Sequence, residues 1–225
     1  MSIYDSIRIT AHTLIAGTTG AGKSTALHTF ICDTIQRYNP NVVRFVLIDL
    51  KRVEMARYKN IKHTLDYANT PADAVRVLQK YDAFMRTRYR EMEAAGLTQS
   101  NNTHIYIIVD ELADLLSTSK EALNILASIG RLGRAANIHL ILATQSPSRK
   151  TLPATLQQNF TFTLALKCKT AIESRQVLGI AGAEQLRLCG DCIVWNGAAG
   201  YSRGHIEKIP DAAINEIIKQ DSGEA

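Results

Sequence analysis

The segment from Gly17 to Ser24, which reads Gly-Thr-Thr-Gly-Ala-Gly-Lys-Ser, constrains the fold more than any other stretch of this chain. It matches the spacing G-x-x-x-x-G-K-[ST], in which a strand passes through a glycine-rich loop into a helix. The apolar residues 14–16 predict a short strand before the loop, and helical spacing runs from Lys23 to about Tyr38. The stretch therefore predicts a strand, a loop and a helix in that order, the beginning of an α/β fold.

Such a loop can bind a phosphate chain, because glycine has no Cβ and lets the backbone turn successive N–H groups inward at the N-terminus of a helix. A glycine-rich turn that matches by chance is the plain alternative, and the strand and helix on either side disfavour it. We interpret the loop as a nucleoside triphosphate site formed by Gly17, Thr18, Thr19, Gly20, Ala21, Gly22, Lys23, Ser24 and Thr25. Lys23, expected to face solvent in the free protein, would reach the β- and γ-phosphates of ATP, and the Ser24 hydroxyl would ligate Mg²⁺.

The composition sets limits on the rest of the chain. With 225 residues, 46% hydrophobic and 21% charged, we expect a single domain spanning residues 1–225. The net charge of +5 is compatible with a nucleic-acid partner without requiring one. No apolar run approaches the roughly 18 residues that a membrane span needs, and the N-terminus lacks the apolar centre of a secretory signal. We therefore expect a cytoplasmic protein.

Cys189 and Cys192 form the only suggestive cysteine pair. A C-x-x-C spacing occurs in redox pairs and in zinc sites. No second cysteine or histidine pair stands at zinc spacing, so we interpret these cysteines as structural.

Strand and helix patterns alternate along the chain. Further strands are predicted at 42–49, 104–110, 138–143 and 160–167, and further helices at 71–95, 120–136 and 171–178. A short helix is predicted after Pro153, a hairpin from 193–195 and 201–207, and a terminal helix from Pro210. The segment from Leu50 to Lys62 is predicted to be basic and exposed. The expected fold is a mostly parallel central sheet with helices on both faces and a C-terminal β-hairpin and helix.

Acidic and amide side chains follow two of these strands. Asp110 would hold Mg²⁺, directly or through water, opposite Ser24, and Glu111 would orient the attacking water. Gln145 would contact the γ-phosphate if its strand neighbours the strand of the phosphate loop. The plain alternative for the two acids is that a helix N-terminus favours negative charge. The plain alternative for Gln145 is a polar loop residue without a catalytic role. We therefore take Lys23, Glu111 and Gln145 as candidate catalytic residues.

An arginine often stabilises the charge on a transferring phosphoryl group, either from the same chain or from a neighbouring subunit. Arg131, Arg134 and Arg175 are the candidates here. Each could equally be a solvated charge on a helix surface.

Several separate motifs, in order and at similar spacing, resemble the motor domain of the FtsK/SpoIIIE family of DNA translocases from His12 to about Lys219. They are residues 14–24, 48–54, 109–115, 133–145, 173–175 and 190–191. The resemblance implies a RecA-like P-loop NTPase that binds ATP between the subunits of a homo-oligomeric ring, commonly a hexamer. It also implies that the ring pulls double-stranded DNA through its central hole.

The chain departs from this family at two places. The family usually has arginine where Ser146 stands, and Asn-x-Pro-x-Arg near Asn159, where this chain continues with 160–163 as Phe-Thr-Phe-Thr. If either arginine acts on a neighbouring subunit in relatives, this protein must use another one.

The cargo is less constrained than the nucleotide site. A coupling or secretion ATPase that moves a protein or nucleoprotein would have the same catalytic residues. A small-molecule kinase would need an acceptor pocket and a lid, and a ring that does not hydrolyse ATP is disfavoured by Glu111. For a DNA motor, Arg57, Lys59 and Lys62 and the basic residues within 76–90 are candidate phosphate contacts.

Overall fold

The computed structural model describes residues 12–145, 147–197 and 199–223. An eight-stranded sheet runs through it in the spatial order β3-β2-β4-β5-β1-β6-β7-β8. The strands are β1 (His12–Ala16), β2 (Val43–Ile48), β3 (Thr64–Ala68), β4 (His104–Val109), β5 (Ile138–Thr144), β6 (Phe162–Leu166), β7 (Asp191–Asn196) and β8 (Gly200–His205). The first six strands pair in parallel, whereas β7 and β8 are antiparallel. The predicted mostly parallel sheet and C-terminal hairpin are confirmed.

Helices cover both faces of this sheet. They are α1 (Lys23–Arg37), α2 (Pro71–Ala95), α3 (Leu112–Thr118), α4 (Lys120–Leu132), α5 (Ala154–Gln157), α6 (Ala171–Leu178) and α7 (Asp211–Ser222). One buried apolar cluster joins the sheet to α1 and α7, and a second joins it to α2, α3, α4, α5 and α6. All seven residues of β5 are buried, as expected for a parallel strand covered on both sides. No helix within the described ranges has the length and apolar character to cross a membrane.

The long helix α2 begins and ends where its sequence predicts. The Thr70 hydroxyl accepts a hydrogen bond from the Asp73 N–H, and Pro71 occupies the first helical position. Gly96 closes the helix at a φ of 66°, in the left-handed region that favours glycine.

The segment after β2 differs from the basic, exposed stretch that we predicted. Met55, Tyr58 and Ile61 are buried, with a 3₁₀ turn at Ala56–Tyr58, and the chain then forms the edge strand β3. Neither the turn nor β3 was predicted, because inward-facing apolar residues three positions apart are scattered among more numerous polar ones.

Two helices also differ from the prediction. Helix α3 was not predicted, since its seven residues are too few to show a clear helical period. Helix α4 ends at Leu132 rather than near residue 136. At Gly133 the chain passes so close to β5 that an added Cβ would lie 2.4 Å from the Ile138 carbonyl oxygen.

Candidate functional site

The glycine-rich loop connects β1 to α1 at the carboxyl edge of the parallel strands. Gly20 and Gly22 have φ values of 76° and 112°, a backbone conformation that side chains disfavour. The loop is tied to both strands that flank β1, since Gly17 N–H donates to the Thr144 carbonyl (3.2 Å) and Thr18 N–H to the Lys167 carbonyl (2.8 Å). These hydrogen bonds hold the loop against the ends of β5 and β6.

The C-terminal hairpin braces the loop from the other side. Gly190 N–H donates to the Ala21 carbonyl, and Ile206 N–H donates to the Gly190 carbonyl, each over 2.9 Å. A Cβ on Gly22 would lie 3.1 Å from the Gly190 nitrogen. This close approach gives a physical reason for the glycine at position 22.

Lys23 is buried, with 7% of its surface exposed. Its Nζ donates to the carbonyl oxygens of Gly17 (2.7 Å) and Thr18 (3.2 Å). Burial lowers the pKa of Lys23, while the nearby carboxylates of Glu111 and Asp110 act in the opposite direction. The expectation that this lysine faces solvent is wrong, because its side chain folds back beneath the loop.

Three acids meet at the carboxyl ends of β2 and β4. Asp49, Asp110 and Glu111 are all buried. Burial and the neighbouring carboxylates of Asp49, Glu54 and Glu111 raise the pKa of Asp110 to about 6. Asp49 accepts a hydrogen bond from the Met55 N–H through Oδ2, while its Oδ1 finds no partner in the part of the chain that the structure describes. This edge thus concentrates negative charge that a cation would stabilise.

Glu111 connects β4 to β5. It accepts hydrogen bonds from Thr144 Oγ1 (3.0 Å) and from the Gln145 N–H (3.2 Å). It also caps α3 by accepting from the Ala113 N–H at 3.4 Å, so the plain helix-start role coexists with its place in the site. Gln145 Oε1 accepts from Thr19 Oγ1 at 2.8 Å. Since β5 pairs with β1, the structure places Gln145 against the phosphate loop, as the prediction required.

The loop and the acidic edge share one cavity of about 350 Å³. Its lining consists of Thr19, Gly20, Gly22, Lys23, Ser24, Thr25, Lys51, Val53, Glu54, Asp110 and Gln145. Two of these residues, Lys51 and Glu54, were not assigned to the site from sequence. Their only signal was their place in the motif at residues 48–54. Lys51 Nζ lies 3.7 Å from a carboxylate oxygen of Glu111 and 3.4 Å from one of Asp114.

Among residues 12–145, 147–197 and 199–223, no three His, Cys, Asp or Glu side chains are arranged to hold a metal by themselves. Cys189 is exposed and Cys192 is buried, both as free thiols. Burial raises the pKa of Cys192 to about 11.

The candidate arginines lie away from this lining. Arg131 is in the last turn of α4, Arg134 follows it, and Arg175 is in the last turn of α6. All three are exposed. Of the two family departures, Ser146 lies outside the described residues, whereas Phe160 and its neighbours on β6 pack into the core.

Arg57 and all the basic residues within 76–90 that were considered for DNA contact are engaged within the chain. Arg57 donates to Asp211 Oδ1 (3.0 Å) and to Asn215 Oδ1 (2.8 Å), which fastens α7 to the segment after β2. Arg88 is buried and donates to backbone carbonyls at 2.6 and 2.8 Å. Lys59 and Lys62 are exposed and stay candidates.

The parallel sheet, the glycine-rich loop after β1 and the acid pair after β4 define a P-loop ATPase domain with a RecA-like fold. The model of the FtsK/SpoIIIE family matches residues 2–104 and 92–149. The chain therefore belongs to the FtsK/SpoIIIE family.

Curated relatives agree with this assignment. The chain is 30% identical over 252 residues to a DNA translocase FtsK from Rickettsia typhi, covering 92% of this chain and 34% of that protein. It is 34% identical over 236 residues to the DNA translocase FtsK of Chlorobaculum tepidum, covering 96% of this chain and 29% of that protein. The chain thus spans about a third of the length of these relatives.

Solved structures show the same fold. The cytoplasmic domain of the type VII secretion ATPase EccC from Thermomonospora curvata superposes with a TM-score of 0.79 at 23% identity, covering 96% of this chain and 28% of that one. The pCW3 conjugation coupling protein TcpA, a monomer form with ATPγS, superposes with a TM-score of 0.82 at 19% identity, covering 93% and 64%.

Proposed function

We propose that this chain binds ATP together with Mg²⁺ and hydrolyses it to move double-stranded DNA through a homo-oligomeric ring, with a hexamer as the expected form and the cytoplasm as its location. The observation that carries the proposal is the position of Lys23, Ser24 and Asp110 on one cavity, with Glu111 immediately behind it. That is the set of groups that phosphoryl transfer from a nucleotide requires.

The loop fits a triphosphate. It is held in place by hydrogen bonds to the ends of β5 and β6 and to the hairpin, and it ends at the N-terminus of α1, where N–H groups lack partners within the helix. Lys23 supplies a buried positive charge whose burial an anionic ligand would offset. The residues from Gly17 to Thr25 are proposed to bind the phosphates.

The residues also fit Mg²⁺. A hard cation prefers oxygen ligands and keeps several waters, so Ser24, Asp110 and the phosphates suffice without a three-carboxylate cluster. The unpartnered Oδ1 of Asp49 and the crowded carboxylates at this edge support a cation here. The metal, when bound, would neutralise charge on the β- and γ-phosphates.

Glu111 is proposed to orient the attacking water. Its carboxylate is fixed by Thr144 and by the backbone of Gln145, so it needs little reorganisation to accept a hydrogen bond from that water. Gln145 accepts a hydrogen bond from Thr19 and follows β5, so a contact between Gln145 and the γ-phosphate would link the nucleotide state to the position of β5.

The curated relatives, both named DNA translocases, favour DNA as the cargo over a protein. The test is the rate of ATP hydrolysis with and without long linear duplex DNA over a range of salt concentrations, alongside the mass of the assembly. We expect duplex to raise the rate and the effect to weaken with salt, since backbone contacts release counterions. A rate of ATP hydrolysis that does not change when duplex DNA is added would favour the coupling or secretion class instead.

Mixtures of arginine and lysine variants test whether the chain acts as a ring. Arg131, Arg134 and Arg175 are exposed and lie off the cavity lining, as an arginine acting on a neighbouring subunit would. Each Arg→Ala chain should lose activity alone if that arginine is used. Mixing it with Lys23→Ala chains should restore part of the activity, because each mutant supplies what its neighbour lacks. Turnover that does not depend on protein concentration, with no rescue in any mixture, would argue for a monomer.

A further inference from the structure

The hydroxyl of Ser24 is already oriented in this structure. Ser24 Oγ donates its proton to Glu54 Oε1 over 2.7 Å. A serine hydroxyl has one proton and two lone pairs, and only a lone pair can ligate a metal. With its proton directed at Glu54, the oxygen keeps its lone pairs available for a cation in the cavity that Ser24 and Asp110 both line.

Glu54 is in turn held in place from behind. His28 Nε2 lies 3.1 Å from Glu54 Oε2, and His28 Nδ1 lies 2.8 Å from the Tyr58 hydroxyl oxygen. Both contacts connect α1 to the segment after β2. Each carboxylate oxygen of Glu54 therefore has its own partner, one on Ser24 and one on His28.

The buried Tyr58 hydroxyl extends this chain of contacts beyond His28. Tyr58 is fully buried, and burial raises its pKa well above the usual range, so the hydroxyl keeps its proton. Cys32 Sγ lies 3.7 Å from the same oxygen and can donate to it. A Tyr58 hydroxyl that donates a hydrogen bond to His28 Nδ1 pairs with the imidazole tautomer whose Nε2–H faces Glu54.

We propose that Glu54 is a positioning residue for the metal: it accepts the Ser24 proton and so turns the lone pairs of Ser24 Oγ toward the Mg²⁺ that accompanies the nucleotide. The inference rests on the proposed function, since it needs Ser24 to be the ligand. Glu54 itself lines the same cavity, but this role requires no contact with the nucleotide or the reacting water. It acts through Ser24, as the outer partners of metal ligands generally do.

The test compares binding of ATPγS in Mg²⁺ with binding in EDTA, measured by calorimetry on the full chain. The variants are Glu54→Ala, Glu54→Gln and Ser24→Ala, with Glu93→Ala as the control, because Glu93 is an exposed carboxylate on α2. Glu54→Ala should weaken the apparent Mg²⁺ affinity by about 10- to 100-fold, the usual effect of losing an outer partner of a metal ligand. Binding in EDTA should stay within about twofold, which is about 0.4 kcal/mol, because the proposed role of Glu54 acts through the metal.

Glu54→Gln keeps a carbonyl oxygen for the Ser24 proton and should retain more Mg²⁺ affinity than Glu54→Ala. In the Ser24→Ala background, adding Glu54→Ala should have no further effect on the metal dependence, because the two residues act in series. A urea unfolding curve for each variant reports whether the fold is kept.

Equal losses in Mg²⁺ and in EDTA, or full additivity with Ser24→Ala, would show that Glu54 is merely structural and overturn the inference. An unchanged Mg²⁺ affinity in Glu54→Ala would do the same. The proposed function fails in a different way, namely if the unaltered chain shows no metal-dependent nucleotide binding at all.

Discussion

Replacing Gly190 with alanine should release the brace between the C-terminal hairpin and the phosphate loop. Gly190 has a φ of 105°, and an added Cβ would lie 2.2 Å from the Ile206 carbonyl oxygen. Carbon and oxygen in contact are about 3.3 Å apart, so the backbone would have to move by about 1 Å. That movement falls on the two 2.9 Å hydrogen bonds that join Gly190 to Ala21 and to Ile206.

The cost follows from two effects. A side chain in this backbone region costs about 1–3 kcal/mol, and overpacking against a fixed backbone costs about another 1–3 kcal/mol. Together they remove about 2–6 kcal/mol from a total stability of about 5–15 kcal/mol. We expect a lower urea midpoint and weaker ATP binding, because the loop loses its support on the hairpin side.

Gly96→Ala is the matched control. Gly96 has a φ of 66°, and a Cβ placed there would meet no atom of the described residues within 4 Å beyond its own chain neighbours. It should therefore show only the backbone cost of about 1–2 kcal/mol and leave ATP affinity unchanged. If the two variants lose equal stability and bind ATP equally well, the close contact with Ile206 does not brace the loop.

Three further outcomes are expected. Lys23→Ala should abolish tight ATP binding in calorimetry and lower the free energy of unfolding by about 1–3 kcal/mol, because the buried Gly17 carbonyl loses its donor; tight binding would refute the site. Glu111→Gln should keep binding but slow single-turnover hydrolysis by about 10²- to 10⁴-fold, and an unaltered rate would exclude Glu111 from water activation. His12 Nδ1 accepts a hydrogen bond from the Leu140 N–H. Burial lowers the pKa of His12 from 6.5 to about 4. As the pH falls, the unfolded chain therefore takes up a proton at this histidine before the folded chain does. Stability should therefore be lost between pH 6.5 and about 4, and His12→Asn, which keeps an acceptor, should lose about 3 kcal/mol less over that window in urea titrations; identical pH profiles would contradict this.

The sequence by itself determined the elements whose signal is local. The loop from Gly17 to Ser24 needs only its own glycines and the strand and helix on either side. The continuous apolar runs are enough to predict parallel strands, because such strands are buried on both faces. Asp110 follows one of these runs, and all parallel strands present their carboxyl ends at one edge, so its closeness to the loop followed from the pattern alone.

Only the tertiary structure decided the rest, because the deciding contacts join residues far apart in the chain. Gln145 meets Thr19 only because β5 pairs with β1, and strand order has no local signal. Gly190 at the base of the hairpin bonds Ala21, and Glu54 reaches Ser24 only because the segment after β2 packs against α1. Such contacts depend on how buried surfaces fit together, and the spacing of residues along the chain does not encode that fit.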